Sequence, residues 1–327
     1  MGITRKEVAE MAGVSVATVS YVLNKTKHVT PEVEKRVMDA VKELGYQPNM
    51  LAKSLVTKET KHIAMLLDNM QNPYYFEVLE GVQYVAEKHG YIVSVISVNY
   101  SKREKVLEMV SRGVDGMILA TGSLGIAEFM KNQLPTVYDG ELVRVHYRQA
   151  IFDMVEHLKA KGHRKIAFLS GLPLNNPAHV RYHDFCDAMR EHGLGIDRAL
   201  LVDGDGRADE CAGKDAVDRL LRRNIEFTAV FAITDLMAIG AIRRLSELNK
   251  KVPEEISVVG CDGIPMGQYF SPALSTIEIN GFQVGQALMK SLIVKMKPET
   301  TEYQGEWNLY GEFCDRETVC EKINKKI

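Results

Sequence analysis

Long apolar runs, paired cysteines and a charge excess of one sign are all missing from this 327-residue chain. Apolar segments such as His62 to Leu67 and Tyr91 to Val98 are too short to cross a bilayer, and the N-terminus lacks the apolar stretch of a signal peptide. A cytoplasmic protein without a membrane partner is therefore expected. The five cysteines (Cys186, Cys211, Cys261, Cys314, Cys320) are odd in number, scattered and never spaced C-x-x-C, which argues against a disulfide framework and a zinc site. A net charge of only −2 removes any chain-wide signature of nucleic-acid binding.

What is present is a soluble-type composition, 46% hydrophobic and 26% charged, on a chain long enough for roughly two domains. Charge is uneven along it. Residues 1 to 61 carry ten Lys/Arg against seven Asp/Glu, a mild basic bias that permits phosphate contact. Within that stretch Thr4-Arg5-Lys6-Glu7 has capping-box spacing, and Val8, Met11 and Ala12 follow at helical intervals. Gly13 supplies a tight turn, and a second helix over Ser15 to Asn24 can turn Val19, Val22 and Leu23 inward. Thr30-Pro31 starts a third, whose stripe of Val33, Val37, Ala40, Val41 and Leu44 stops at Gly45.

Two helices joined by a short turn and braced by a third form a helix-turn-helix, which offers the outer side of helix two to a major groove. On that side lie Ser15, Val16, Ala17, Thr18, Ser20, Tyr21 and Asn24. Periodicity alone equally allows these to be solvated positions on a small helical bundle.

The run Ile3 to Asn24, then Val29-Thr-Pro31, Leu44-Gly-Tyr-Gln-Pro-Asn49 and Ala52-Lys-Ser-Leu55, closely resembles the start of LacI-type regulators. The resemblance implies that Ser15, Val16, Ala17, Thr18, Ser20, Tyr21 and Asn24 face bases or phosphates, with His28 near the DNA backbone. It also implies a hinge over Pro48 to Val56, anchored by Asn49, with Leu55 as a minor-groove wedge of the kind that unstacks a base step and bends the duplex. From the residues alone, Leu51 and Leu55 would be two buried leucines in a linker. Most members of the family carry arginine where this chain has Tyr21. A tyrosine cannot make arginine's bidentate contact with guanine.

From His62 onward apolar runs alternate with helical patterns in two series. The first comprises Ile63 to Leu67, Tyr74 to His89, Tyr91 to Val98, Val106 to Arg112 and Met117 to Ala120. The second runs through Ile166 to Leu169, Ala229 to Ile233 and Ile256 to Cys261. Such alternation signals parallel sheets covered by helices, here in two lobes. The predicted architecture is an all-α helix-turn-helix domain (residues 1–46), a hinge (47–60), and an α/β core of two doubly wound lobes for effector binding and dimerisation (61–327). Polar punctuation at the strand ends (Asp68-Asn69, Thr121-Gly122, Asp139-Gly140, Thr234-Asp235, Asp262-Gly263) marks where doubly wound sheets bind ligands.

His62 to about Phe313 resembles the periplasmic-binding-protein-like core of the same regulators, on Gly162-His-Arg-Lys-Ile166, Thr234 to Gly240 and Ile256 to Asp262. By position in those motifs, effector contacts fall on Asn72, Tyr74, Tyr75, Asp139, Arg181, Asp235 and Asp262. Carboxylates and an arginine suit sugar hydroxyls, and aromatic rings suit a sugar's apolar face. Each also has a plainer reading: helix N-caps for the two late aspartates, core aromatics for the tyrosines, a surface charge for Arg181. Three features depart from the family pattern: Gly204-Asp205-Gly206-Arg207, Ile279, and a short stretch between Asp139 and the helix near Arg148.

Histidines 157, 163, 179, 183 and 192 raise a catalytic or metal reading. However, His179 and His183 lack zincin spacing, and neither G-x-S-x-G nor a P-loop exists. No catalytic residue, metal or cofactor is expected. The expected partners are a near-palindromic double-stranded DNA operator, a small-molecule effector and a second copy of the chain. The lysine-rich tail Glu321 to Ile327 has no heptad, so no tetramerising zipper is expected. The expected function is repression relieved by a sugar-like ligand; the alternatives are a protein corepressor or a non-sugar metabolite such as a nucleoside.

Overall fold

A computed structural model describes residues 3–47, 54, 57, 59–67, 69–97, 103–120, 134–138, 140–176, 179–303 and 305–322. The chain divides into two compact units, Met1–Thr60 and Lys61–Ile327.

The first unit holds α1 (Arg5–Ala12), α2 (Val16–Asn24) and α3 (Pro31–Leu44). Thr4 caps α1 through the full capping box, and Gly13 closes the helix in the left-handed region (φ 63). Ser15 then caps α2 by accepting from the Thr18 N–H at 3.0 Å. Pro31 opens α3 and Gly45 (φ 62) ends it. The core is small: Val8, Ala9, Ala12, Val19, Val22, Val37, Ala40 and Tyr46. Met11 does not join it. It is 44% exposed, because α1 packs on α3 through the small Ala9 and Ala12 instead.

In the second unit, the first lobe is a four-stranded parallel sheet of β1 (His62–Leu67), β2 (Ile92–Ser97), β3 (Gly116–Ala120) and β4 (Thr136–Tyr138), ordered β2-β1-β3-β4. Strand β1 is buried on both faces, as its unbroken apolar run requires. Ile63, Met65 and Leu67 join the main core, whereas Ala64 and Leu66 pack with Val106, Val114 and Leu119. The first face is covered by α4 (Tyr74–Lys88) and the second by α5 (Arg103–Ser111).

The second lobe is a six-stranded sheet of β6 (Ile166–Leu169), β7 (Leu201–Val202), β8 (Ala229–Ala232), β9 (Ser257–Asp262), β10 (Ser275–Glu278) and β12 (Glu312–Cys314), ordered β12-β10-β9-β8-β6-β7. Only β12 is antiparallel to its neighbour. Its helices are α6 (Arg148–Ala160), α7 (Val180–Glu191), α8 (Glu210–Arg222) and α9 (Asp235–Glu247).

The chain passes between the lobes three times. It leaves the first lobe along β5 (Val143–His146), returns after β10 into α10 (Gly281–Met296), and leaves again along β11 (Trp307–Tyr310), which pairs in parallel with β5. The short stretch after residue 139 is thus a crossing strand. Helix α10 packs on α4 at glycine contacts: a Cβ on Gly81 would lie 2.0 Å from the Phe282 carbonyl oxygen, and one on Gly285 1.9 Å from that of Val78. Neither β5, β11 nor this return was legible as apolar periodicity. Among the described residues, no helix is long and apolar enough to cross a membrane, no three His, Cys, Asp or Glu are grouped to hold a metal, and all five cysteines are free.

Candidate nucleic-acid interface and effector cleft

Helix α2 is short, capped at both ends, and buries only Val19 and Val22 completely. Its outer side is therefore available. Ser15, Val16, Ala17 and Asn24 are exposed, as is His28 beyond the helix; Thr18, Ser20 and Tyr21 are half-buried. Val16, at 44% exposure, puts a branched apolar group on the first turn, a shape suited to a thymine methyl. The hydroxyls of Ser15 and Thr18 bond each other at 2.9 Å. Arg5 braces the face from behind, donating to the Ser20 hydroxyl and to the Tyr46 hydroxyl, each at 3.3 Å. Lys27 places its ammonium 4.7 Å from the centre of the Tyr21 ring. Arg5 and Lys27 were not among the sequence-derived candidates; both are basic residues of this unit, but nothing in the sequence placed either one against the α2 face. Asn49 and Leu55 lie outside the described residues, as does most of the hinge.

The cleft assembles at the carboxyl ends of the strands, where both sheets switch direction: between β1 and β3 in one lobe and between β6 and β8 in the other. From the first lobe, Asn72 accepts from the Tyr74 N–H at 3.1 Å through its side-chain carbonyl. Its amide crosses to the second lobe and donates to Asp262 at 3.0 Å. The other Asp262 oxygen is 3.6 Å from Arg181 Nη1. That nitrogen also donates to the Ile233 carbonyl and contacts Cys261 Sγ at 3.8 Å, and the guanidinium lies 5.0 Å from the Tyr147 ring centre. All these bonds use Nη1, so the Nε and Nη2 edge forms none among the described residues. Tyr74 and Tyr75 stand edge to face at 5.6 Å, both half-buried.

Asp262 occupies a backbone region rare for a residue with a side chain (φ 128) and is 7% exposed. Burial pushes its carboxyl up to about 7 against the opposing pull of Arg181. A buried carboxyl held in strained backbone beside an arginine is the kind of group that functional sites keep.

Asp235 is different. It is fully buried and bonded on both oxygens, accepting from the Thr276 hydroxyl at 2.5 Å and the Ile264 N–H at 2.8 Å. Burial raises it to about 6. Gly260 gives it room, since a Cβ there would fall 2.1 Å from an Asp235 oxygen. Asp235 thus ties the turn after β9 to β10, and the helix cap before it is Thr234, which accepts from the Met237 N–H at 3.2 Å. Asp139 lies outside the described residues.

The departures from the family pattern have local explanations. Ile279 is buried and packs against Gly311 at the third crossing. Gly204 lies against the Gly171 backbone too closely for any Cβ, and Arg207 turns to Asp205 and Asp215, each at 2.9 Å, rather than offering an aromatic wall. His179 is a structural group: its Nδ1 accepts from the Tyr182 N–H and its Nε2 bonds the Ser170 hydroxyl at 2.7 Å, while burial lowers it to about 4.

Residues 4–49 match a family model described as bacterial regulatory proteins of the lacI family, and residues 155–319 match one described as a periplasmic binding protein-like domain. The chain is 31% identical over 319 residues to catabolite control protein A of Priestia megaterium, covering 92% of this chain and 95% of that protein. It is 30% identical over 335 residues to the HTH-type transcriptional repressor PurR of Pasteurella multocida (strain Pm70), covering 98% and 99%. The crystal structure of the Lac repressor dimer bound to operator and the anti-inducer ONPF aligns with a TM-score of 0.84 at 26% identity, covering 98% of this chain and 100% of that one.

Proposed function

The chain belongs to the LacI family of bacterial regulatory proteins, and from that premise we propose that it represses transcription as a homodimer on a near-palindromic operator, under control of a small, sugar-like effector held between its lobes. Its relatives are regulators and not enzymes. The observation that carries the reading is the pairing of two unlike sites on one chain: an exposed polar face on α2, and a bridge from buried Asn72 through buried Asp262 to half-buried Arg181 that spans two lobes.

A ligand lodged at that bridge would compete for the Asn72 amide and use the unfilled edge of Arg181, so lobe geometry and ligand occupancy are linked. Effector and operator then alter each other's affinity through one coupling energy. Hydroxyl pairs of a sugar match the Arg181 fork and the Asp262 acceptor, and Tyr74, Tyr75 and Tyr147 offer ring surface. Exposed apolar groups on both lobes, Phe76 and Tyr84 on α4 and Met266 and Tyr269 after β9, supply surface for a second copy, as two half-sites require. Because its proposed target is DNA, the proposed compartment is the cytoplasm.

The test joins two measurements on the full chain. Gel shifts against selected duplexes should identify one preferred near-palindromic site. A thermal-shift screen of sugars, sugar phosphates and nucleosides should return a ligand whose stabilisation disappears in Arg181→Ala and whose presence weakens the gel shift. A ligand that strengthens the shift would reverse the sign proposed. A hit confined to nucleosides would favour the non-sugar alternative.

A further inference from the structure

The turn that ends α2 returns a basic side chain to the recognition face. Lys25, the residue after the helix, adopts a left-handed conformation (φ 52), and its N–H bonds to the carbonyls of Tyr21 and Val22. The Thr26 N–H also reaches the Tyr21 carbonyl, at 3.3 Å. Two consecutive amides are thus drawn to the end of α2, so the chain reverses there and carries residues 26 to 28 back past Tyr21. Lys27 Nζ finishes 4.7 Å from the Tyr21 ring centre. Lys27 is exposed, Tyr21 half-buried, and Lys27 forms no ion pair among the described residues, so its charge is not cancelled locally.

This contact sits at Tyr21, where most members of the family that the sequence resembles carry arginine. A tyrosine alone supplies one hydroxyl and no charge; an ammonium alone is a point donor on a long flexible stem. Stacked together they resemble what the arginine provides, a plane with a cation fixed against it.

We propose that Tyr21 and Lys27 act as one composite reading group, in which the ring positions the Lys27 ammonium to donate to an acceptor on a base edge in the major groove, guanine O6 or N7 by chemistry. The proposal rests on the DNA-binding reading above. It makes Lys27 a specificity residue and Tyr21 partly its positioning residue. The local backbone closure at Lys25 is what makes the pair possible, since an extended exit from α2 would carry Lys27 away from the ring.

The experiment is a double-mutant cycle in the full chain with Tyr21→Ala, Lys27→Ala and the pair, measured on the preferred operator, on operators altered one base pair at a time, and on random duplex. The expected result is a loss of about tenfold for each single variant on the preferred operator. The double variant should lose scarcely more, with discrimination relaxed at one base pair and random-duplex binding unchanged. Lys27→Arg should retain most of the affinity, and unchanged thermal melting of each variant shows that the loss is not unfolding. Additive losses would overturn the proposal. So would a Lys27→Ala loss that is uniform across sequences and accompanied by a salt slope shallower by about one, since that is the behaviour of a phosphate contact. If the wild-type chain prefers no duplex at all, the DNA reading itself falls, and this proposal with it.

Discussion

The two sites hold their residues in opposite ways. On α2 the candidate side chains point outward and bond locally: Ser15 to its own helix, Ser15 to Thr18, Ser20 to Arg5. In the cleft they bond one another across large sequence separations, Asn72 to Asp262 over 190 residues and Arg181 to Ile233 over 52. A surface that must meet a large polyanion can stay solvated until contact, because its affinity comes from many modest terms. A pocket that must notice one small molecule has to be desolvated and shaped beforehand, so its polar groups satisfy each other when alone.

Substitutions should separate the two regimes. Arg181→Ala leaves the buried Asp262 carboxyl without its cation and should cost about 3 kcal/mol of stability, read as a lowered urea midpoint, together with loss of effector response. A wild-type midpoint would show that the cleft is not held by this pair. Val19→Ala opens a cavity in the small three-helix core and should cost about 2 kcal/mol there, abolishing operator binding while the cleft still takes ligand.

Asp235→Asn keeps the size but deprives either the Thr276 hydroxyl or the Ile264 N–H of an acceptor. The expected cost is about 1–2 kcal/mol, with ligand affinity little changed. Ser15→Ala removes the N-cap of α2, about 1 kcal/mol in helix stability, together with its exposed hydroxyl, and should weaken DNA binding without touching the effector.

The pH response sharpens the contrast further. Asp235 and Asp262 bind protons more tightly folded than unfolded, with values raised to about 6 and about 7 from the ordinary carboxyl range near 4. Their contribution to stability is complete below about pH 4 and declines as pH rises through 6 and 7. Urea unfolding of the effector-binding unit at pH 5 and pH 7.5 should reveal that decline, and Asp262→Asn should flatten it; an unchanged slope in that variant would locate the titration elsewhere.

Most of the recognition unit was legible in the sequence because its signals are local. Capping box, Gly13, Thr30-Pro31 and Gly45 each act within one turn of chain, and the helices fall where those residues place them. Lys27 was missed because its position depends on the left-handed turn at Lys25, for which no glycine or asparagine gives notice. In the larger unit the buried strands β1, β6, β8 and β9 stood out as apolar runs, while β5, β7 and β11 are short or half-exposed and carry no such run. Motif position named Asn72, Arg181 and Asp262, which the structure places next to one another, but could not distinguish Asp262, which bonds across the lobes, from Asp235, which bonds within one. That distinction depends on which direction a carboxylate points after a strand, and the strand pattern is the same for both.

The return of the chain into α10 has a consequence for the order in which the protein can be made. The sheet of the first lobe is complete in sequence by Tyr138, yet the helix that packs on α4 through Gly81 and Gly285 begins only at Gly281. At about 5–20 residues per second, the growing chain spends on the order of 10–30 s translating the residues in between. Throughout that interval the side of α4 around Gly81 lacks the helix that packs on it, while nearly the whole second lobe emerges behind it. The lobe that begins first therefore waits for its last helix until most of the second lobe has been made, and a nascent chain stalled before residue 281 would present that bare helix face to chaperones.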